Sequence, residues 1–375
     1  MKKYYGTSKN ITSFVVGKIT NKPVWFNRKN YVLLTNDKKI PKGYAAIITN
    51  NKPSCSAKSK VLCNFNEKIE KFNDGDIILI KPGGEASVLF DANSKHNFLM
   101  ITSSCNCSCI MCPQPQIADE KDRTNINLKL ISLIDKQTKS LGITGGEPTL
   151  IGNKLLNIIY NCKKRLPNTA LTLLTNGIRF ENIEYAGSIA SISHKYLLID
   201  VPLHSDIDTI HNLIAGTNGF YKTIKGIYNL ATFGQKIGIR VVISKINYKR
   251  LPELAEYIYR NFPFVFHVAF MQMETAGLAA ENMEKTWIDP HDYINELESA
   301  VIKLQQKDIH VSIYNAQLCV LSPKLWKFAR KSISDWKRSY ISECSKCSQK
   351  DNCGGFFVSN LDQHSKHIRL INDLV

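Results

Sequence analysis

The stretch that decides the fold runs from Phe98 to Cys112 and reads FLMITSSCNCSCIMC. It opens on a compact apolar run, residues 98–102, which predicts a buried strand, and continues directly into a loop rich in cysteine. Cys105, Cys109 and Cys112 of this loop have the spacing CxxxCxxC. Three thiolates on one loop can bind three irons of a cubane cluster and leave the fourth iron open to a small ligand. We therefore predict a 4Fe–4S cluster on this loop.

The remaining cysteine of the loop, Cys107, fits no cluster pattern with its neighbours, and we expect it to point away and not to bind iron. A zinc knuckle is the alternative for the whole loop. Zinc sites usually pair two CxxC or CxxC/HxxxH units, and no second unit lies near this loop in the sequence. The iron–sulfur interpretation is therefore favoured.

Gly145-Gly146-Glu147-Pro148 is a second motif, about one β/α unit after the cysteine loop and at the end of the next predicted strand, residues 141–144. Two residues without Cβ atoms let the backbone approach a ligand closely. Glu147 can accept a hydrogen bond from a ligand ammonium group. Alone, the glycine pair would be a turn. The active sites of β/α barrels lie at the carboxyl ends of the strands, where both motifs fall.

Strand and helix patterns alternate from Asn97 to about residue 280, with one helix predicted over Asn153–Arg165. Six β/α units of this spacing imply a parallel sheet with right-handed crossovers, hence a partial (β/α)6 barrel of the α/β class. We expect a β-rich domain over 1–96, the barrel over 97–280, and a third domain over 281–375, where the β/α rhythm stops. Residues at or near the strand ends are predicted to line the same pocket: Asn176, His204, Ser205, Arg240, Val242 and Gln272.

The flanking segments are less informative. Residues 1–96 contain short apolar runs between turn signals such as Pro82-Gly83-Gly84, and they do not reveal a function. In the carboxy-terminal segment a helix is predicted from about Lys324, on an apolar stripe that is more typical of a core than of a base-stacking platform. The residues of this stripe are Trp326, Ala329, Ile333, Trp336 and Tyr340.

The last cysteines, Cys344, Cys347 and Cys353, read CxxCxxxxxC, and Cys319 lies upstream. Four thiolates could close a second, auxiliary 4Fe–4S cluster, and a zinc ribbon built from the same four residues is the alternative that spacing leaves open. The iron–sulfur interpretation is favoured, because a loop that already predicts one cluster precedes them. A lone cysteine is most often a small buried hydrophobe, and three cysteines stay unassigned for that reason: Cys55, Cys63 and Cys162.

The chain resembles the radical S-adenosylmethionine (SAM) enzymes, which pair CxxxCxxC with a GGE motif, here 105–112 and 145–147. The resemblance implies that the open iron binds the amino and carboxylate groups of SAM, and that Met111 packs against adenine. One electron from the cluster would cleave a carbon–sulfur bond, and the 5′-deoxyadenosyl radical would abstract a substrate hydrogen. The predicted cofactor-binding set is Met111, Gly145, Gly146, Glu147, Pro148, Asn176, Ser205 and Val242. The carboxy-terminal cysteines resemble the single-cluster "twitch" domains appended to such barrels.

A narrower resemblance rests on Leu99–Gln116, Tyr314–Leu321, 332–337 (SISDWK) and the closing CGGFF of 353–357. These segments look like the C-type maturase of the His-Xaa-Ser systems. The resemblance implies a ribosomally made peptide substrate rich in that repeat and a second radical SAM maturase as a partner. It also implies an electron donor such as flavodoxin or ferredoxin. Catalytic residues beyond the cluster ligands are not predicted.

The formal net charge of +17 suits an acidic peptide or a nucleic acid, or simply a surface solvated by lysine. Two other functions therefore stay open: a radical SAM enzyme acting on a nucleotide or RNA, and a non-catalytic iron–sulfur subunit that binds a peptide. The first twenty residues show no signal peptide, and no eighteen apolar residues run together. Because clustered thiols suit a reducing compartment, we expect a cytoplasmic protein without membrane contact.

Overall fold

The computed structural model describes residues 2–37, 41–50, 59–63, 71–114 and 122–372. Cys55 and the end of the segment Leu99–Gln116 lie outside the described residues. The chain forms two compact units that interleave in sequence. The first comprises 1–101, 122–142 and 157–170, and the second comprises 102–121, 143–156 and 171–375.

The amino-terminal residues form a mixed sheet of eight short strands, in the spatial order β1-β8-β7-β3-β4-β5-β6-β2. A buried apolar cluster that includes Ile19, Val32 and Ile78 packs against it. The predicted hairpin at Pro82 joins β7 to β8, which pair antiparallel. The strands are β1 (Lys3–Tyr5), β2 (Thr7–Lys9), β3 (Val15–Thr20), β4 (Tyr31–Leu34), β5 (Ala46–Ile48), β6 (Val61–Cys63), β7 (Ile77–Ile80) and β8 (Glu85–Phe90).

A second sheet of eight strands has the order β16-β15-β14-β13-β12-β11-β10-β9, and the pairings from β11 to β16 are all parallel. Its strands are short apolar runs bounded by turn residues, as the sequence predicts. They are β9 (Phe98–Met100), β10 (Ser140–Thr144), β11 (Ala170–Leu174), β12 (Leu197–Pro202), β13 (Lys236–Val242), β14 (His267–Met271), β15 (Val311–Tyr314) and β16 (Ala329–Arg330).

Helices cover one face of this sheet, where the side chains of Ile199, Ile239, Val268 and Phe270 are fully buried. Several helices begin or end on the residues that the sequence predicts, notably α2. The described α-helices are α1 (Thr124–Leu133), α2 (Asn153–Arg165), α3 (Ile183–Ile192), α4 (Asp208–Ala215), α5 (Phe220–Thr232), α6 (Leu251–Asn261), α7 (Leu278–Glu281), α8 (Met283–Thr286) and α9 (Ile294–Gln305).

The carboxy-terminal segment departs from the sequence prediction in two ways. The β/α rhythm does not stop near residue 280, because α9 leads into β15 and β16, which extend the parallel sheet. The helix predicted from Lys324 is also wrong. A short 3-10 helix, Pro323–Phe328, ends where Ala329 pairs with Ile313 of β15.

The apolar stripe of that predicted helix does not share one face. Ile333 is buried, whereas half of the surface of Trp336 is exposed. Pairing of Ala329 and Arg330 at the edge of the sheet, with burial of Ile333, fixes this segment, so tertiary structure overrides the local periodicity.

After β16 the chain forms a small antiparallel pair, β17 (Arg338–Ser339) and β18 (Phe356–Phe357). The loop between these two strands carries the last three cysteines. Among the described residues no helix is long and apolar enough to cross a membrane. The domain boundaries near residues 96 and 280 stay predictions.

Candidate active site

The cysteine loop follows β9 and is held by backbone contacts from several elements. The amide of Ile110 donates to the carbonyl of Ile214 at the end of α4, over 3.1 Å. The side-chain amide of Asn282 donates to the carbonyl of Ile110, over 3.2 Å. A Cβ atom at Gly216 would lie 2.2 Å from the carbonyl oxygen of Ser108, so only glycine allows this packing. The loop conformation is therefore set by its neighbours as well as by its own sequence.

The thiols of this loop are electrostatically coupled. A hydrogen bond from Cys107 lowers the pKa of Cys105 to about 7, and a second one lowers the pKa of Cys109. Burial raises the pKa of Cys112. Because metals bind the thiolate form, the two lowered values favour ligation near neutral pH.

Cys107 does not point away from its neighbours, contrary to the sequence expectation. Its thiol hydrogen-bonds to both Cys105 and Cys109, and these contacts raise its own pKa. The side-chain amide of Asn176 donates to its sulfur over 3.2 Å. Cys107 is therefore a buried neighbour of two predicted ligands. That it does not bind iron itself stays a prediction.

The glycine pair after β10 packs directly on the cysteine loop. A Cβ atom at Gly145 would lie 2.2 Å from the carbonyl oxygen of Thr102, and one at Gly146 would lie 2.2 Å from that of Ser104. The amide of Gly146 donates to Thr102 over 2.7 Å, and that of Glu147 donates to Ser104 over 2.8 Å. The missing side chains thus allow two backbone segments to join, which the sequence alone did not reveal.

Glu147 is buried, and its carboxylate joins its own turn to the end of β11. It accepts hydrogen bonds from the amide and hydroxyl of Thr149, at 2.9 and 2.6 Å. It also accepts from the hydroxyl of Thr175 at 2.7 Å and from the amide of Asn176 at 2.6 Å. Burial raises the pKa of Glu147, and these hydrogen bonds act in the opposite direction. Pro148 begins the 3-10 helix Pro148–Ile151 and is itself buried.

Asn176 connects this carboxylate to the cysteine loop. Its side-chain amide donates to the side-chain oxygen of Asn106 over 2.7 Å, and its own side-chain oxygen accepts from the amide of Ile178. The structure thus gathers three predicted elements in one place, namely the cysteine loop, the Gly145–Pro148 turn and the end of β11. Whether Asn176 also touches a cofactor stays a prediction.

An apolar cluster beside the loop contains two of the predicted cofactor-binding residues, Met111 and Val242. The sequence analysis missed the other members, although Met273 lies only two residues beyond β14 and a reading of strand ends could have found it. These members are Ile210, Ile214, Ile246, Met273, Ala279, Met283 and Trp287. Such a cluster suits the packing of an adenine ring, because it offers flexible methionines and an aromatic side chain.

Ser205 and His204 lie beyond the end of β12 and are buried. The hydroxyl of Ser205 accepts from the amide of Ile207 at 3.1 Å and donates to Asp206 at 3.3 Å. The backbone amide of His204 donates to Nδ1 of His211 over 3.2 Å, and the His204 ring nitrogen Nδ1 has no partner among the described residues. In this arrangement Ser205 also begins the turn into α4, so its predicted cofactor contact remains untested.

The four carboxy-terminal cysteines, Cys319, Cys344, Cys347 and Cys353, line one small cavity. Burial raises the pKa of Cys319 and of Cys344, and the charges of neighbouring cysteines contribute to both shifts. The pairing of β17 with β18 brings Cys353 back towards Tyr340, whose hydroxyl donates to the Cys353 carbonyl over 3.1 Å.

The spacing of the thiols bears on which metal they could bind. Bonds of about 2.3 Å in a tetrahedral zinc site put the sulfurs a little under 4 Å apart. Among the described residues no three cysteines have sulfurs within 4.8 Å of one another. Which metal each cysteine group binds stays a prediction.

Residues 99–258, which carry the cysteine loop and the Gly145–Pro148 turn, match the family model of the Radical SAM superfamily. The matched segment, which is less than half of the chain, is similar to a radical SAM domain. This confirms the predicted enzyme class at the level of the superfamily, and it implies a 4Fe–4S cluster and SAM. It also accounts for the parallel sheet, which confirms the predicted α/β partial-barrel fold.

A curated relative comes from Pyrococcus furiosus, the tungsten-containing aldehyde ferredoxin oxidoreductase cofactor-modifying protein. It is 32% identical over 174 residues, which are 44% of this chain and 48% of the relative. An uncharacterized protein of Methanocaldococcus jannaschii is 27% identical over 184 residues, 44% of this chain and 58% of that protein. The chain thus spans about half the length of the curated relatives it matches.

Two solved proteins share the fold of the radical SAM domain. SuiB of Streptococcus suis, bound to SAM, superposes with a TM-score of 0.52 at 18% identity, over 61% of this chain and 52% of SuiB. The protein anSMEcpe with bound AdoMet gives 0.51 at 16% identity, over 73% of this chain and 92% of that protein. The likeness to both is one of fold.

Proposed function

We propose that this protein is a radical SAM enzyme that cleaves SAM and abstracts hydrogen from a ribosomally synthesised peptide. The observation that carries the proposal is the junction of the cysteine loop with the Gly145–Pro148 turn, where the two backbones meet through glycines. This junction sets three thiolates beside a buried apolar cluster that suits adenine. The cluster with bound SAM would supply a 5′-deoxyadenosyl radical.

The residues of the chain would bind and orient the cofactor. Cys105, Cys109 and Cys112 would hold the cluster, with the first two favoured as thiolates by Cys107. Met111 and Val242 would pack against adenine and exclude water from it. The Gly145–Pro148 turn would present backbone groups to the amino-acid part of SAM, and Glu147 keeps one carboxylate oxygen with a single protein donor.

A peptide substrate is supported by the resemblance to the His-Xaa-Ser maturases and by a fold neighbour. anSMEcpe has also been solved with AdoMet and the Cp18Cys peptide bound, in a structure that superposes with a TM-score of 0.50. The partners of this chain would then be a peptide rich in the His-Xaa-Ser repeat, a second radical SAM maturase and a cytoplasmic electron donor such as flavodoxin or ferredoxin.

The carboxy-terminal cysteines would hold an auxiliary 4Fe–4S cluster in a twitch-like arrangement. The cavity that the four cysteines share supports this role. Such a cluster would accept an electron from the substrate or help to position the peptide. Zinc in the same cavity is the alternative.

The experiment is anaerobic reconstitution with iron and sulfide, followed by addition of reductant, SAM and a synthetic peptide of His-Xaa-Ser repeats. We expect 5′-deoxyadenosine and a change in peptide mass that both depend on iron. A triple variant, Cys105→Ala with Cys109→Ala and Cys112→Ala, should abolish both, whereas Cys63→Ser in the amino-terminal sheet should not. A protein that binds two clusters but never cleaves SAM would instead be a non-catalytic partner subunit.

A second candidate, action on a nucleotide or another small cofactor, is favoured by one observation. The relative from Pyrococcus furiosus is described as a cofactor-modifying protein. Formation of 5′-deoxyadenosine without any peptide modification, and stimulated by a nucleotide or by RNA, would support this candidate. Steep loss of RNA binding with salt would add to it, since the chain is strongly basic.

A further inference from the structure

The parallel sheet has a second face, opposite the helices, and this face is polar in its middle strands. Side chains alternate between the two faces along a strand, and paired residues of neighbouring strands share a face. Asp200 pairs with Gly238, Gly238 pairs with His267, and Met271 pairs with Tyr314. Arg240 lies two residues beyond Gly238 and therefore shares that face. We call Asp200, Arg240 and Tyr314 the polar triad.

Asp200 is the least expected member of the polar triad. Its residue surface is 8% exposed, and its oxygen Oδ1 is buried with no hydrogen-bond partner among the described residues. A buried polar group without a partner destabilises a fold, so one in a folded protein calls for an explanation. Burial raises the pKa of Asp200, and the charge of Arg240 counteracts the shift.

Glycine at position 238 makes room for this carboxyl. A Cβ atom there would lie 2.0 Å from Oδ1 of Asp200. Strand interiors disfavour glycine, since it has no side chain to pack and loses more entropy on folding. The sequence thus combines an unfavourable strand residue with an unsatisfied carboxyl, which is typical of a place where a ligand completes the hydrogen bonding.

Arg240, the cation on the same face, also lacks a full set of hydrogen-bond partners among the described residues. The guanidinium of Arg240 donates to Sδ of Met271 over 3.3 Å, a weak acceptor, and forms no ion pair with a carboxylate in the described part of the chain. Its charge acts to lower the pKa of both Asp200 and Tyr314, so the three groups lie close together on this face. Tyr314 stands beside His267, with ring centroids 6.0 Å apart.

We propose that the polar triad is a subsite that binds one peptide group of the substrate, with Asp200 accepting from its N–H and Arg240 donating to its C=O. A planar amide presents a donor and an acceptor on opposite edges, which matches an anion and a cation that share a face without pairing. Tyr314 supplies a hydroxyl beside them. The inference rests on the proposed function and specifies how a peptide would be held for hydrogen abstraction.

The experiment measures binding of a fluorescein-labelled peptide of His-Ala-Ser repeats to reconstituted, SAM-loaded protein by anisotropy. We expect Asp200→Asn and Arg240→Gln each to weaken binding by about tenfold or more, because each replaces a charge-assisted hydrogen bond to the peptide group by a neutral one. Arg240→Lys should recover only part of the loss, since a point charge lacks the planar fork. The matched controls, Asp292→Asn and Arg260→Gln, change exposed groups and should bind as the wild type does. Iron content and thermal unfolding would show that the variants fold.

A peptide series with single N-methylated positions tests the assignment to a peptide group. One position should bind weakly to the wild type and lose no further affinity in Asp200→Asn, since both changes act on the same hydrogen bond. Wild-type affinity in both triad variants would overturn the subsite and leave the proposed function intact. A wild type that cleaves SAM but binds an RNA oligonucleotide and not the peptide would overturn the peptide function, and this ligand with it.

Discussion

At the scale of single residues, Cys107 lies beside two of the predicted cluster ligands. Its thiol is within hydrogen-bonding reach of both Cys105 and Cys109, and its sulfur accepts from the side-chain amide of Asn176. A residue in this position can adjust the two predicted ligands without binding the metal itself.

We expect Cys107→Ala to keep the iron of the radical SAM cluster, because Cys105, Cys109 and Cys112 remain. Cys109→Ala, the matched change two residues later, should lose it. Iron and sulfide counts of the reconstituted variants, with electron paramagnetic resonance of the reduced cluster, provide the measurement. Equal loss of iron from both variants would contradict the assignment and make Cys107 a ligand.

At the same scale, His211 makes the free energy of unfolding depend on pH. Burial lowers the pKa of His211 from its ordinary 6.5 to about 4. Between these two values the unfolded chain binds a proton that the folded chain does not, so the free energy of unfolding falls by up to about 1.4 kcal/mol for each pH unit of acidification.

The variant His211→Asn should therefore lose less stability than the wild type when the pH falls from 7 to 5. Its side-chain oxygen can still accept from the backbone amide of His204. Thermal unfolding at the two pH values is the measurement, and His291→Asn, at a half-exposed position, is the control. An equal loss in wild type and His211→Asn would show that this imidazole is not the titrating group.

At the scale of elements, the end of β10 depends on glycine for its contact with the cysteine loop. We expect Gly146→Ala to shift that loop, because the new Cβ would lie 2.2 Å from a backbone oxygen that cannot rotate away. The cost should be about 1–3 kcal/mol, with reduced iron content. Gly83→Ala, where nothing lies within 4 Å of the added atom, is the matched control. Unfolding temperature and iron content measure both effects, and wild-type values for Gly146→Ala would refute the argument.

At the scale of the whole molecule, the proposed auxiliary cluster adds to the iron content of the chain. Two 4Fe–4S clusters give about eight irons per chain. The variant Cys344→Ser with Cys347→Ser and Cys353→Ser should contain about four and should keep the SAM-dependent signal of the first cluster. About four irons in the wild type, together with one zinc that these changes remove, would convert the auxiliary site into a zinc ribbon.

The sequence by itself determined the features that depend on local spacing. The interval CxxxCxxC and the Gly145-Gly146-Glu147 turn at successive strand ends pointed to the radical SAM domain, because parallel strands bring their carboxyl ends to one edge. Helix α2 was predicted to the residue, since its apolar positions repeat along a complete and isolated amphipathic stretch.

Only the tertiary structure decided the features that depend on residues distant in sequence. The apolar residues from Trp326 onward have helical spacing, but Ala329 pairs with Ile313 in the parallel sheet. Cys107 was expected to point away, and its position follows from Asn176, 69 residues later. The polar triad joins strands β12, β13 and β15, and the space for Asp200 comes from a glycine in the neighbouring strand. Hydrophobic periodicity in the sequence indicates which face of a helix or strand a residue occupies. Which other residue it contacts on that face depends on the order of the strands in the sheet.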